Sequence, residues 1–134
     1  MSDTNESNQQ PPLIPHTFCW NELVSPDAAA SVNFYSSLFG WSADELPMPD
    51  GATYRMFKLG EIPVGGLIEM DGVPPHWCSY VAVEDVEAAT ARAVELGATL
   101  CKEVTDVGMG KLSILVDPRG ASFALWQRAQ NVEC

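Results

Sequence analysis

A chain of 134 residues with 46% hydrophobic side chains has room for one folded unit and enough apolar surface to give it a core. Its 18 acidic and 7 basic residues leave a formal charge of −11, which repels phosphate backbones and anionic lipid, so neither nucleic acid nor membrane is expected as a partner. No apolar run approaches the roughly 18 residues of a membrane span, and the N-terminus lacks the basic-then-apolar order of a secretory signal, so a cytoplasmic location is expected.

Residues 1–12 are polar, rich in Asn, Gln, Ser and Pro, and read as a disordered tail. Thr17 to Val24 reads as a strand. Ser25-Pro26-Asp27 then starts a helix, with Ser25 as N-cap and Pro26 at the first helical position. Val32, Phe34, Tyr35, Leu38 and Phe39 supply its apolar stripe, and Gly40 ends it where a left-handed residue is needed. Trp41 opens an extended segment, Asp50-Gly51 marks a turn, and Tyr54 to Leu59 reads as a further strand. In Ile62 to Met70, Pro63 and the pair Gly65-Gly66 weaken a central-strand assignment and point to a bulge or a close backbone approach.

After the linker-like Asp71 to Pro75, the same order of elements returns. His76 to Val83 is a strand, Glu84-Asp85 opens a helix, and Val86, Ala89, Ala93, Val94 and Leu96 form its buried stripe before Gly97 closes it. Gly40 and Gly97, Asp27 and Asp85, and Trp20 and Trp77 are 57, 58 and 57 positions apart. A period of this length marks a duplicated supersecondary unit, neither copy of which can bury its own sheet face. The layout read from it is a tail over 1–12, a first module over 13–71, a linker over 72–75, a second module over 76–128 and a tail over 129–134.

Asp106 to Gly110 reads as a flexible loop rather than a phosphate cradle, because no helix follows it. Leu112 to Trp126 is then a hairpin turning at Asp117-Pro118-Arg119-Gly120. In its second arm Phe123 and Leu125 fall on one face, as ordinary core, while Ser122, Ala124 and Trp126 share the other. The cysteines Cys19, Cys78, Cys101 and Cys134 form no C-x-x-C pair and are expected to be reduced and structural.

Three stretches together resemble the vicinal oxygen chelate superfamily, which includes glyoxalase I, bleomycin-resistance proteins and extradiol dioxygenases. They are Asn33-Phe34-Tyr35-Ser36-Ser37-Leu38-Phe39-Gly40-Trp41, Val83-Glu84-Asp85-Val86 and Asp117-Pro118-Arg119-Gly120, and the resemblance covers Pro15 to Gln127. It implies an α+β fold in which two βαβββ modules form a curled mixed sheet around a concave cleft, with the helices outside and a homodimer as the usual assembly. It also implies, for metal-dependent members, a divalent ion held by His and Glu side chains from the first and last strands of each module and acting as a Lewis acid.

Carried over one position at a time, that ligand set is broken. The first module's opening-strand position falls on Trp20, or on Glu22 if the count slips by two; its later-strand position falls on Glu69 or Gly66. The second module's positions fall on Cys78, with His76 two residues upstream, and on Ala124, which has no donor atom. No cofactor is therefore expected; a divalent metal would need a non-standard set such as His16, Glu22, Glu69 and His76. If Trp20, Glu22, Cys78, Tyr80, Ser122, Ala124 and Trp126 face the cleft, it suits a small, partly apolar ligand. The alternatives are a metal-dependent lyase, isomerase or dioxygenase with that non-standard set, a metal-independent enzyme using Glu22 as general base, and a dimeric interaction module with no small-molecule role.

Overall fold

Strand, helix and three strands follow one another twice, as the repeat requires. The computed structural model describes residues 13–49 and 51–129; the expected tail over 1–12, Asp50 of the expected turn, and residues 130–134 lie outside the described residues. The first set is β1 (Phe18–Ser25), α1 (Ala28–Phe39), β2 (Ser42–Pro47), β3 (Thr53–Leu59) and β4 (Ile62–Glu69). The second is β5 (His76–Ala82), α2 (Val86–Glu95), β6 (Thr99–Asp106), β7 (Gly110–Val116) and β8 (Ser122–Arg128). All the strands join one mixed, open sheet in the order β2-β3-β4-β1-β5-β8-β7-β6. Within each set the first strand runs parallel to the fourth, β1 beside β4 and β5 beside β8, and the two sets meet through the antiparallel pair β1/β5.

Both helices begin at an aspartate. Asp27 Oδ1 accepts the Ala30 N–H at 3.0 Å and Asp85 Oδ1 accepts the Ala88 N–H at 3.0 Å, each satisfying a backbone donor that the first helical turn leaves open. Ser25, expected as the N-cap, is not one. It is still paired in the sheet, opposite Glu69, and its Oγ accepts the Asp27 N–H at 3.1 Å instead. The first helix ends as expected at Gly40, with φ +78° and its N–H on Ser36 O at 2.9 Å.

The helices lie on the same face of the sheet. α1 sets Ala28, Val32 and Tyr35 against Leu23, Phe57 and Leu67, and α2 sets Val86, Ala89 and Ala93 against Leu115 and Leu125. Two expected stripes were too broad. Phe34, Leu38 and Phe39 are 59%, 58% and 51% exposed, and Val94 and Leu96 are also exposed. Positions 28, 32 and 35 already fill the sheet-facing turn of the helix, and at about 100° per residue Phe34 and Leu38 rotate onto its flank. In α2 the fourth place on the inner face goes to Thr90, whose hydroxyl donates to Val86 O at 2.6 Å and bonds Ser113 Oγ at 2.8 Å.

β4 is a central strand despite its proline and glycines. The register with β3 shifts between Phe57 and Lys58, and Pro63 sits at that irregularity, where its missing N–H costs little. Asp106 to Gly110, expected as a flexible loop, is a tight connection: Val107 N–H bonds Gly110 O at 2.9 Å and Gly108 N–H bonds Asp106 Oδ1 at 2.8 Å. At the last hairpin Asp117 Oδ1 accepts the N–H groups of Arg119 at 2.8 Å and Ala121 at 3.0 Å, and Gly120 takes φ +101°. Among the described residues no helix is long and apolar enough to cross a membrane.

Replacing the fully buried Leu115 by Ala is expected to cost about 2–5 kcal/mol, since both lost transfer energy and a cavity contribute. Phe34→Ala, on the exposed flank of α1, is expected to stay within about 0.5 kcal/mol. Urea unfolding midpoints compare the two, and equal losses would contradict the packing described.

Candidate ligand-binding site

Alternation along the strands sends Leu23, Trp77 and Leu125 toward the helices and their neighbours to the opposite, helix-free face. Register then gathers them. Glu22 lies between Gly66 of β4 and Cys78 of β5, Trp20 lies opposite Tyr80, and Tyr80 lies opposite Ala124. Cys78, Tyr80 and Ala124 form a buried cluster flanked by Trp20, Leu112, Ile114 and Trp126.

Glu22 is the polar centre, and only 5% of it is exposed. The Tyr80 hydroxyl donates to its Oε1 at 2.5 Å. The Tyr54 hydroxyl also bonds the carboxylate, while accepting the Trp20 indole N–H at 2.9 Å. Tyr54 reaches this position because residue 66 is glycine: a Cβ there would overlap the Tyr54 phenol. A chain of donors thus runs from Trp20 through Tyr54 to Glu22, and Tyr80 closes it from the other side.

Burial raises the Glu22 carboxyl above its ordinary 4.5, and the hydrogen bonds from Tyr80 and Tyr54 hold it back. Both phenols are pushed up, first by burial and then by the carboxylate's charge, so at neutral pH they keep their protons and remain donors. Cys78 is pushed up to about 11 by burial and by Glu22, which keeps it a thiol. The arrangement can therefore accept a hydrogen bond or a proton at Glu22, beside aromatic walls, and offers no thiolate.

Of the seven expected ligand contacts, Trp20, Glu22, Cys78, Tyr80, Ala124 and Trp126 come together, with Cys78, Tyr80 and Ala124 as floor. Ser122 lies exposed at the start of β8, beside the Asp117 turn and opposite Val116. Tyr54 was missed: nothing in its strand marks it, and only Gly66 hinted at a close approach. Two open depressions among the described residues, about 530 and 450 Å³ and lined by none of these side chains, lie beside Gln127 and Arg128.

The non-standard metal set is not gathered. His16, with φ +71°, bonds Ala82 O through its backbone N–H, whereas His76 begins the same strand six residues earlier, roughly 20 Å away at strand rise. Glu69 points to the other face of the sheet from Glu22 and reaches toward Arg55. Among the described residues no three His, Cys, Asp or Glu side chains converge. At the superfamily's own ligand positions Trp20, Gly66 and Ala124 bring no usable donor, which leaves only Cys78 and the neighbouring Glu22, whose carboxyl group is bonded to two phenols. These residues do not fit the superfamily's divalent ion.

The raised carboxyl has a thermodynamic consequence. The folded state binds the Glu22 proton more tightly than the unfolded state, so this group's contribution to stability is most favourable at low pH. It is lost as pH rises from about 4.5 through the raised folded value, at up to about 1.4 kcal/mol per pH unit. Glu22→Gln is expected to lack that component. The difference between wild-type and variant unfolding free energies from pH 4 to 8 measures it, and a difference independent of pH would contradict the assignment.

Residues 18–126 match the glyoxalase-like domain family model. A putative glyoxylase, CFP32, of Mycobacterium bovis is 36% identical over 120 residues, covering 84% of this chain and 46% of that protein. The anthracycline biosynthesis protein DnrV of Streptomyces peucetius is 33% identical over 133 residues, covering 87% and 48%. The chain thus spans about half the length of the curated relatives it matches. Among solved structures, methylmalonyl-CoA epimerase from Mycobacterium tuberculosis superposes with TM-score 0.63 at 14% identity, over 96% of this chain and 98% of that one. The Streptomyces coelicolor epimerase gives 0.63 at 18% identity, over 87% and 96%. At such identities these neighbours speak for the fold alone, whereas the domain match and the sequence relatives speak for descent: the chain belongs to the glyoxalase-like domain family of the vicinal oxygen chelate superfamily.

Proposed function

We propose that this protein binds a small, partly apolar molecule on the helix-free face of its sheet, between the Trp20 and Trp126 indoles, without a metal ion. The observation that carries this reading is Glu22. A carboxylate removed from water with no cation beside it costs several kcal/mol, and a face that needed only packing would be better filled by an apolar side chain. Perturbed titratable groups of this kind concentrate at binding and catalytic sites. Half-buried indoles beside it provide flat apolar contact. The reading includes a homodimer, to which the uncovered face and the free sheet edges at β2 and β6 are suited, and a cytoplasmic location.

A second reading is proton transfer at Glu22 in a metal-independent enzyme. The donors Tyr54 and Tyr80 favour it, because they are placed to steady charge on an oxygen next to the base. The relative named as a putative glyoxylase agrees with an enzyme in general terms.

Elemental analysis of the purified protein is expected to find no stoichiometric divalent ion. A screen of small aromatic compounds by ligand-observed NMR is expected to give hits whose Kd rises about tenfold or more in Trp20→Ala, the scale of a lost aromatic anchor. A stoichiometric ion that disappears in Glu22→Ala, or hits indifferent to Trp20→Ala, would overturn the proposal.

A further inference from the structure

We propose that Tyr54 is the group a ligand displaces from Glu22, and that the site consequently selects planar molecules carrying a hydroxyl or N–H donor and rejects carboxylates. This deepens, and rests on, the reading of the helix-free face as a binding site.

The two phenols on Glu22 are held very differently. Tyr80 is 3% exposed, stands on a central strand and packs among Cys78, Ala124 and Trp126, with ring centroids 6.5 Å from Trp126. Tyr54 comes from β3, next to the sheet edge, and lies over Gly66, which presents no side chain to it. It belongs to none of the buried clusters and makes no ring pair among the described residues; beyond its packing over Gly66, its side chain is anchored by hydroxyl bonds to Trp20 and Glu22. Moving Tyr54 opens space over Gly66 and Glu22, and moving Tyr80 would break the core.

Glu22 is the acceptor toward both phenols: the Tyr80 hydroxyl donates to it, and the Tyr54 hydroxyl, which takes the Trp20 N–H, has its own proton left for the carboxyl group. A molecule that takes the place of the Tyr54 hydroxyl must therefore supply a donor, or leave a buried acceptor unpaired. A second carboxylate supplies the wrong sign. Among the described residues Glu22 takes part in no ion pair and its hydrogen-bond partners are neutral, and the chain as a whole carries −11, so no ion pair at Glu22 offsets a second negative charge. The Trp20 indole N–H, freed when Tyr54 leaves, offers the incoming group an acceptor partner as well, so a hydroxyl, which both donates and accepts, fits the vacated place on both sides.

The test uses three probes of one shape: 2-naphthol, 2-methoxynaphthalene and 2-naphthoate, titrated by calorimetry into the full chain, with thermal melts to confirm that each variant folds. The expected order is 2-naphthol tightest, with the ether and the carboxylate each at least about tenfold weaker, the scale of one hydrogen bond to a charged group. Tyr54→Phe, which removes the competing hydroxyl, is expected to tighten 2-naphthol about tenfold while leaving the ether within about twofold. Naphthoate binding as tightly as naphthol, or naphthol affinity unchanged in Tyr54→Phe, would overturn the inference. If Trp20→Ala still weakens every probe in that case, the binding face stands and only the displacement is wrong. Failure of all three probes to bind at millimolar concentration would overturn both.

Discussion

The antiparallel pairing of β1 with β5 is the contact on which the rest of the molecule depends. Each module by itself would be a four-stranded sheet with one helix and its first strand at an open edge, and pairing first strand with first strand removes both of those edges. The pairing also has an internal symmetry. Asn21 and Ser79, 58 positions apart and so equivalent in the repeat, are register partners, and the Ser79 hydroxyl bonds Asn21 Oδ1 at 2.7 Å. The pseudo-twofold axis passes through that pair. Glu22 and Tyr80 are likewise equivalent, and the axis brings them together across it. One position of the ancestral unit has become an acid in one copy and its hydrogen-bond donor in the other.

This origin explains the electrostatics of the site. A carboxylate in a poorly hydrated interior is normally neutralised by a cation or a metal. Here two neutral phenols serve instead: burial first, and then the carboxylate's charge, raise their pKa values, and their hydrogen bonds keep the Glu22 carboxyl from rising further. The balance holds only while water is kept out, which the Trp20 and Trp126 indoles and the Tyr54 ring achieve on a face that no helix covers.

The helices' common side of the sheet decides which face remains for binding. Both crossovers place their helix against Leu23, Phe57 and Leu67 or against Leu115 and Leu125, so the same alternation that builds the core leaves Glu22 and its neighbours on the open side. The repeat in the sequence hides a trap here. Trp20 and Trp77 align at a spacing of 57, yet the modules superimpose at 58, and the single-residue difference sends Trp77 to the helix side, where its indole donates to Tyr35 at 3.2 Å.

Local chemistry was legible in the sequence. Period-two and period-3.6 patterns, the aspartates at the helix starts, Gly40, Gly97 and the Asp117 turn specified the order of elements, because each depends on neighbours a few residues away. The two faces of the last strand were legible for the same reason, and with them Ala124 as a place without a metal donor. Three features were not. Which helix residues are buried depends on the angle at which the helix meets the sheet, so Phe34 and Leu38 read as core and proved exposed. Whether Glu69 or Gly66 joins Glu22 depends on a register between β1 and β4, which are separated by a helix and two strands. That Tyr54 reaches across Gly66 to Glu22 and Trp20 depends on two strand pairings at once, β3 with β4 and β4 with β1. The sequence by itself determined the elements and their duplication, through interactions local in the chain; the site was decided only by tertiary structure, because it is made of side chains that meet solely through strand register.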